Sequence, residues 1–309
     1  MSENSHEKAP LRKQSESMNH QIANEPADEH QLDFTIVTAS YNYGHFIREC
    51  LESVSCQKGV SFEHLIFDGG STDQTAEVVA DFPHAKFVQE PDEGMSDAIN
   101  KGFAKAKGKW VMWLNTDDRL KPGALKAVLD FAKGKDETDV IYGGWDFIDK
   151  EGQYLRSMTI FPFQKSILCY AGCYIGSTAA FYRNSTIIGE GIHLDKSFRY
   201  VMDGEYYNRL ASLGKRFTYM HALLADFRIH GMNLSFRHQQ CSNVSEELIL
   251  QKQYAESIAI RRAYGWHQVV RPPWVLFVDG LLISIYGLQK FLLKRIYRMI
   301  IPLIQLPKS

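Results

Sequence analysis

Neither sign of charge predominates in this chain: 35 Lys and Arg stand against 36 Asp and Glu, a formal net charge of −1. A balance this close creates no global field toward a polyanion, so nucleic acid is not an expected partner. Cysteine is scarce, with five residues in 309 (Cys50, Cys56, Cys169, Cys173 and Cys241). An odd count leaves no complete disulfide framework. The chain also opens on a polar stretch rather than a signal peptide, and both facts set a reducing cytoplasm as the expected compartment. Cys169 and Cys173 lack a second Cys/His pair at zinc-ligand spacing, so buried free thiols are expected. No apolar run reaches the roughly 20 residues of a spanning helix. Trp274–Leu288 comes nearest, and Asp279 interrupts it. No internal repeat is present.

What is there can close a core, since 45% of the residues are hydrophobic. They are unevenly placed. Residues 1–32 hold hardly any, cannot offset their ordering entropy, and are expected to form a disordered arm. From Phe34 short apolar runs alternate with amphipathic stretches, the pattern of an α/β domain with a mostly parallel central sheet. Strands are expected at Phe34–Ala39, His64–Phe67, Lys86–Gln89, Trp110–Leu114 and near Val140–Tyr142. Helices between them carry Phe46, Ile47, Cys50, Leu51 and Val54, then Met95, Ile99 and Phe103, at helical spacing. Beyond Gly144 the alternation loosens. Strand-like stretches are expected at Tyr174–Tyr182 and Phe217–Phe227, a helix near Asp203, a long helix from Gln239 to Tyr264, and a break at Pro272-Pro273. The expected division is an arm (1–32), a catalytic domain (33–235, with halves 33–144 and 145–235) and a helical extension (236–309).

Ligands of an open α/β sheet bind outside the carboxyl ends of its strands. Polar clusters follow four of the expected strands: Thr38-Ala39-Ser40-Tyr41-Asn42, Asp68-Gly69-Gly70-Ser71-Thr72-Asp73, Glu90-Pro91-Asp92-Glu93-Gly94 and Asn115-Thr116-Asp117-Asp118. Any one of them could be turn or cap chemistry. As an ordered series they match the donor half of glycosyltransferase family 2, through "TASYN", "DGGSTDQT", "EPDEGMSDAINKGFAKAKGKW" and "WLNTDD". Over residues 33 to 235 the chain therefore resembles that family of inverting bacterial enzymes with the GT-A fold, a Rossmann-like nucleotide-diphospho-sugar transferase architecture.

The resemblance implies a nucleotide-sugar donor, a UDP-sugar above all, and a saccharide or lipid-linked acceptor in surface polysaccharide or glycolipid synthesis. It places Thr38, Tyr41 and Asn42 at the nucleotide, Asp68 at the base, and Asp97, Asn100 and Lys101 near the ribose. Asp117 becomes the first metal ligand, with Asp118 and His230 as further candidates. A diphosphate leaving group carries charge that Mn²⁺ or Mg²⁺, held by one or two carboxylates, neutralises well. The family's Asp-x-Asp motif has Asn115 at its first position here, which hydrogen-bonds but brings no charge. The alternative is that Asp117 or Asp118 caps a helix starting near Pro122. On the acceptor side, Asp203-Gly204-Glu205 followed by Arg209 resembles the family's acidic motif. Asp203 aligns with the general base, Glu205 could replace it, and the helix dipole alone would also favour acids there. In "FRIHGMNLS", with Arg228 and Ser235, His230 reads as a metal ligand, a donor to the diphosphate, or a satisfied histidine. Gly176-Ser177-Thr178 matches an acceptor-side segment without a role of its own.

Two other classes compete, nucleotidyl transfer and non-catalytic sugar-nucleotide binding. The first lacks its Gly-rich, Lys/Arg-bearing triphosphate loop after the first strand. The second has only Asn115 in its favour. In the tail, "KFLLKRIYRMIIPLI" mixes Lys290, Lys294, Arg295 and Arg298 with apolar residues, as an interfacial helix does. Either it lies on the inner face of the cell membrane, or it packs on the catalytic domain or on a second subunit of a homo-oligomer.

Overall fold

The computed structural model describes residues 32–231, 233, 244–265 and 275–300. The expected N-terminal arm up to residue 31, residues 239–243 of the expected long helix, Ser235, Cys241 and the expected break at Pro272-Pro273 lie outside them. Strands β1 (Phe34–Ser40), β2 (Phe62–Asp68), β3 (Ala85–Gln89) and β4 (Trp110–Trp113) alternate with helices α1 (Gly44–Ser55), α2 (Thr75–Ala80) and α3 (Met95–Lys105). The strands run parallel in the order β3-β2-β1-β4. β4 and most of β1 are buried on both faces, which is why they read as near-continuous apolar runs. α1 buries Phe46, Ile47, Cys50, Leu51 and Val54, as its spacing predicts. α3 buries Ile99 and Phe103 but leaves Met95 exposed, because Met95 opens the helix at the edge of the sheet.

Register sets the level of the site. Ser40 lies opposite Asp68, and Asp68 opposite Gln89, so three strands end in line. β4 stops level with Val37. The Leu114 amide then donates to the Val37 carbonyl (2.9 Å) and Thr116 Oγ1 to the Ala39 carbonyl (2.7 Å), which brings residues 115–118 up to the same edge. α3 lies on β1 at a glycine: a Cβ on Gly102 would stand 2.2 Å from Val37 Cγ1. Overpacking of this kind costs about 1–3 kcal/mol, against at most about 1 kcal/mol that alanine contributes to helix propensity. Gly102→Ala should therefore lower the urea midpoint, and an unchanged or higher midpoint would contradict the close approach.

The second half contains β5 (Arg119–Leu120), α4 (Ala124–Ala132), β6 (Val140–Ile148), β7 (Tyr154–Ser157), α5 (Lys165–Tyr170), β8 (Ala180–Arg183), α6 (Met202–Ser212) and β9 (Phe217–Arg228). It extends the same sheet as β4-β8-β6-β9-β5, with β7 on β6. β8 is antiparallel to both β4 and β6, whereas β6 and β9 are parallel. The nine-stranded sheet is thus parallel in its first half and mixed in its second. The strand expected over Tyr174–Tyr182 is shorter, because Ser177–Ala179 forms a 3-10 turn and pairing begins at Ala180. Gly176 marks the departure: the chain crosses Trp145 so closely that a Cβ would lie 2.8 Å from the indole ring. Two helices follow, α7 (Val244–Tyr264) and α8 (Val275–Ile300). α8 joins the apolar segment and the basic stretch after it into one helix. No described helix is long and apolar enough to cross a membrane.

Candidate active site

The loops after β1 and β2 are stitched into one ledge. The Asn42 amide donates to Ser71 Oγ (2.7 Å), the Thr72 amide to Asn42 Oδ1 (2.9 Å), and the Gly44 amide, at the start of α1, to Asp73 Oδ2 (2.8 Å). Asn42 does this at φ 56°, in the left-handed region that asparagine tolerates better than most residues. Beside it Tyr41 is 61% exposed, an open aromatic surface on the ledge. Asp68 is turned inward. Its Oδ1 accepts from the Gly70 and Ser71 amides (3.0 and 2.6 Å) and from Gln89 Nε2 (3.1 Å), and its Oδ2 accepts from Ser71 Oγ (2.5 Å). Here Asp68 shapes the turn, and a base would have to compete with those bonds.

Thr38 does not reach the edge. It is fully buried, with Oγ1 2.9 Å from His64 Nε2. Burial pushes the pKa of His64 down to about 3, so this pair is neutral. Of the expected ribose group, Asn100 clamps the Leu194 backbone with two bonds (2.9 and 2.8 Å). Lys101 donates to the Pro91 carbonyl (2.6 Å) and lies near Glu90 and Asp97. Asp97 accepts from the Glu93 amide and Lys196 Nζ (both 3.2 Å). These residues hold the loop after β3 and the segment before α6 against α3.

After β4 the two aspartates separate. Asp118 is buried; its Oδ1 accepts from the Arg228 amide (3.0 Å) and its Oδ2 from Asn115 Nδ2 (3.0 Å). Burial, and then the charge of Asp117, push its pKa well above the usual carboxylate range. Asp117 stays partly open, at 13% side-chain exposure, with Oδ2 2.8 Å from His230 Nε2 and 3.2 Å from Asn233 Nδ2. Neither aspartate caps a helix, since α4 starts at Ala124 after a left-handed Gly123 without a side-chain cap. Asp117 and His230 form a carboxylate–imidazole pair of the type that suits Mn²⁺. Among the described residues no group of three or more His, Cys, Asp and Glu is gathered. A divalent ion here would take its remaining ligands from phosphate oxygens and water, as such ions commonly do.

The acids of the second constellation also separate. Glu205 is buried, pairs with Arg209 through both oxygens (2.8 and 3.0 Å) and accepts from the Tyr264 hydroxyl (2.7 Å). Asp203, in the first turn of α6, keeps partial exposure and accepts from the Gly204 amide (2.7 Å). Its surroundings nonetheless desolvate the carboxylate, and burial raises its pKa. Ser96 Oγ, in the first turn of α3, contacts Met202 Sδ at 3.0 Å, which brings the start of α6 to the carboxyl edge of the sheet. Aromatic packing ties α6 to β4: Trp113 of β4 stacks on Tyr182 (5.2 Å), whose hydroxyl meets that of Tyr207 on α6 (2.9 Å).

A sequence profile described as glycosyl transferase family 2 matches residues 35–188, which carry both loops of the ledge and Asp117. The chain belongs to glycosyl transferase family 2. This answers what the acidic pair alone left open, sugar transfer rather than nucleotidyl transfer. The glycosyltransferase is 26% identical to an uncharacterized glycosyltransferase of Nostoc sp., over 76% of this chain and 78% of that one. It is 27% identical to a PGL/p-HBAD biosynthesis glycosyltransferase of Mycobacterium bovis, over 64% and 77%. Among solved structures it is similar to TarS of S. aureus in complex with UDP-GlcNAc (TM-score 0.58, 15% identity, 86% of this chain and 92% of that one). A mannosyltransferase of Pyrobaculum calidifontis in complex with GDP-Man and Mn²⁺ is a further neighbour (TM-score 0.51, 13% identity, 88% of each chain). At such identities these likenesses establish the GT-A fold.

Several residues that build the glycosyltransferase site have roles that the sequence does not show. Arg228 is fully buried; its guanidinium donates to the carbonyls of Asp117 and Lys150 (both 2.9 Å) and to Glu49 Oε2 (2.7 Å). Glu49 reads as an ordinary exposed position on α1. Asn233, in the quoted "HGMNLS", joins His230 to Asp117: its Oδ1 accepts from the His230 amide (2.9 Å). Glu256 on α7 accepts from the amides of Arg199, Tyr200 and Val201 (3.1, 2.9 and 3.0 Å), directly ahead of α6. A glutamate on a helix with many charged residues offers nothing to single it out. Of the described cysteines, Cys50 and Cys169 are buried, Cys56 is exposed and Cys173 lies between.

Proposed function

We propose that the enzyme moves a sugar from a nucleoside-diphosphate donor, a UDP-sugar, to an acceptor hydroxyl with inversion at the anomeric carbon. The observation that carries this reading is the contrast at one sheet edge: Asp117 and Asp203 stay accessible while their neighbours Asp118 and Glu205 are consumed by internal partners. In the proposed mechanism the Tyr41–Asn42 ledge receives the nucleotide. Asp117, with His230, would hold a divalent cation, which when bound supplies positive charge to the departing diphosphate. Asp203 takes the proton from the acceptor hydroxyl as it attacks, and its raised pKa suits a base that must hold that proton. Glu205 keeps α6 in place through Arg209 and Tyr264.

The acceptor class we propose is a saccharide or a lipid-linked saccharide, in surface polysaccharide or glycolipid synthesis at the cytoplasmic face of the cell membrane. Support comes from the relative named for PGL/p-HBAD biosynthesis and from the exposed apolar residues of α8. The test is a panel of UDP- and GDP-sugars assayed with and without Mn²⁺, with the anomeric configuration of the product read by NMR. Asp117→Ala should weaken Mn²⁺-dependent donor binding at least about tenfold. Retained configuration, or donor binding indifferent to both Mn²⁺ and Asp117, would overturn the scheme.

A further inference from the structure

We infer that the exposed stripe of α8 seats on an anionic phospholipid surface and presents the Asp203 side of the site to it. Leu281, Ile285, Leu288, Leu292 and Ile296 recur at intervals of three and four residues, so they share one helix face. All five are exposed, and Phe291, also exposed, widens the stripe. At 1.5 Å per residue the stripe runs roughly 22 Å. The opposite face is the one that docks. Tyr286 stacks on Tyr170 (5.6 Å), Leu293 packs against the core, and Lys290 Nζ donates to the carbonyls of Ala171 and Gly172 (2.6 and 2.8 Å). The helix is thus fixed from behind, with its apolar front open.

Two observations select the occupant. From Gly280 to Ile296 the helix carries no acidic residue; Lys290 and Lys294 turn to the docked side, and the exposed Arg295 flanks the stripe. A second copy laid against the stripe would set its own Arg295 there and no carboxylate, whereas phosphate headgroups bring the opposite sign. No described helix is long and apolar enough to cross a bilayer, so the contact is interfacial. The second observation is position. Lys290 grips the two residues before Cys173, and the Cys173 Cβ lies 3.6 Å from where a Cβ on Gly204 would stand, next to Asp203. A lipid surface under α8 would therefore border the entrance for an acceptor whose hydroxyl rides on a lipid. This part rests on the reading of Asp203 as the acceptor-side base.

The experiment is co-sedimentation of the full chain with vesicles of phosphatidylcholine, with and without phosphatidylglycerol, in the absence of donor and acceptor. The chain should sediment with the mixed vesicles, far less with phosphatidylcholine alone, and be released by salt. Leu288→Glu/Leu292→Glu should reduce partitioning at least about tenfold. The milder Leu288→Ser/Leu292→Ser pair should shift it in the same direction, with donor binding unchanged as the sign of an intact fold. Vesicle binding unaltered in both pairs would overturn the inference. So would a stable dimer, seen by light scattering, that the same pairs dissociate. Since no sugar is transferred in this assay, a mistaken base assignment would leave vesicle binding intact, and absent vesicle binding would leave the base assignment standing.

Discussion

Asp203→Asn should lower kcat for sugar transfer roughly 10²–10⁴-fold, the range general-base catalysis supplies, while donor affinity stays unchanged. The amide keeps the size of the side chain and the environment of α6 but cannot take a proton at neutral pH. In the native enzyme, burial raises the Asp203 pKa, so kcat should fall on acidification at a pH above that of an ordinary aspartate. The stability sign is the reverse of the usual acidic case. A carboxyl whose folded pKa exceeds its unfolded one binds its proton more tightly in the native state. It therefore favours folding below the unfolded pKa and loses that contribution as pH rises through the folded value. Asp203→Asn should accordingly raise Tm at neutral pH, with the gain shrinking on acidification. Turnover near the native rate, or an acidic limb that survives the substitution unmoved, would transfer the base role elsewhere, with Glu205→Gln the next variant to assay.

The second large effect is on stability. Arg228→Met removes a fully buried guanidinium that donates to the Asp117 and Lys150 carbonyls and to Glu49, and that lies 5.1 Å from the Phe46 ring centroid. Breaking a buried ion pair from one side costs about 3–5 kcal/mol. The lower end applies here, because Glu49 is partly exposed and keeps Arg119 (2.8 Å). Equilibrium unfolding in urea reads this directly, and a loss below about 1 kcal/mol would mean that water replaces the guanidinium at little cost. Arg228→Lys should recover only part of the loss, since an ammonium cannot reproduce a planar fork spanning three acceptors. Activity should follow stability, because the Asp117 carbonyl leans on this guanidinium.

The parallel half of the sheet was legible because each of its strands is a short apolar run closed by polar residues, and because α1 buries the residues its spacing nominates. The edge carrying the site follows from the same pattern. Which polar residue at that edge faces outward was not legible. Asp68 ends one strand and Asp117 follows another, yet Asp68 folds back onto the Gly70 and Ser71 amides and Asp117 meets His230. Adjacent letters conceal opposite fates in Asp117 and Asp118, because the choice is made by Arg228, 110 residues beyond Asp118. β8 inserts antiparallel through the pairing of Arg183 with Trp110, a long-range match that local periodicity does not encode. Asn100 looked like a ligand residue by motif and is a clamp by geometry.

Glu256 gives the order of events during synthesis a particular shape. The three amides ahead of α6 wait for a carboxylate that lies 55 residues beyond the last of them, and Glu205 waits for a hydroxyl 59 residues further on. A ribosome that has delivered every group of the sheet edge has still not delivered the fastening of the helix that bears Asp203. Until α7 emerges and lies down, the nascent enzyme holds its loop ledge and α6 without the brace between α6 and α7, so the last fastening comes from the carboxyl-terminal side.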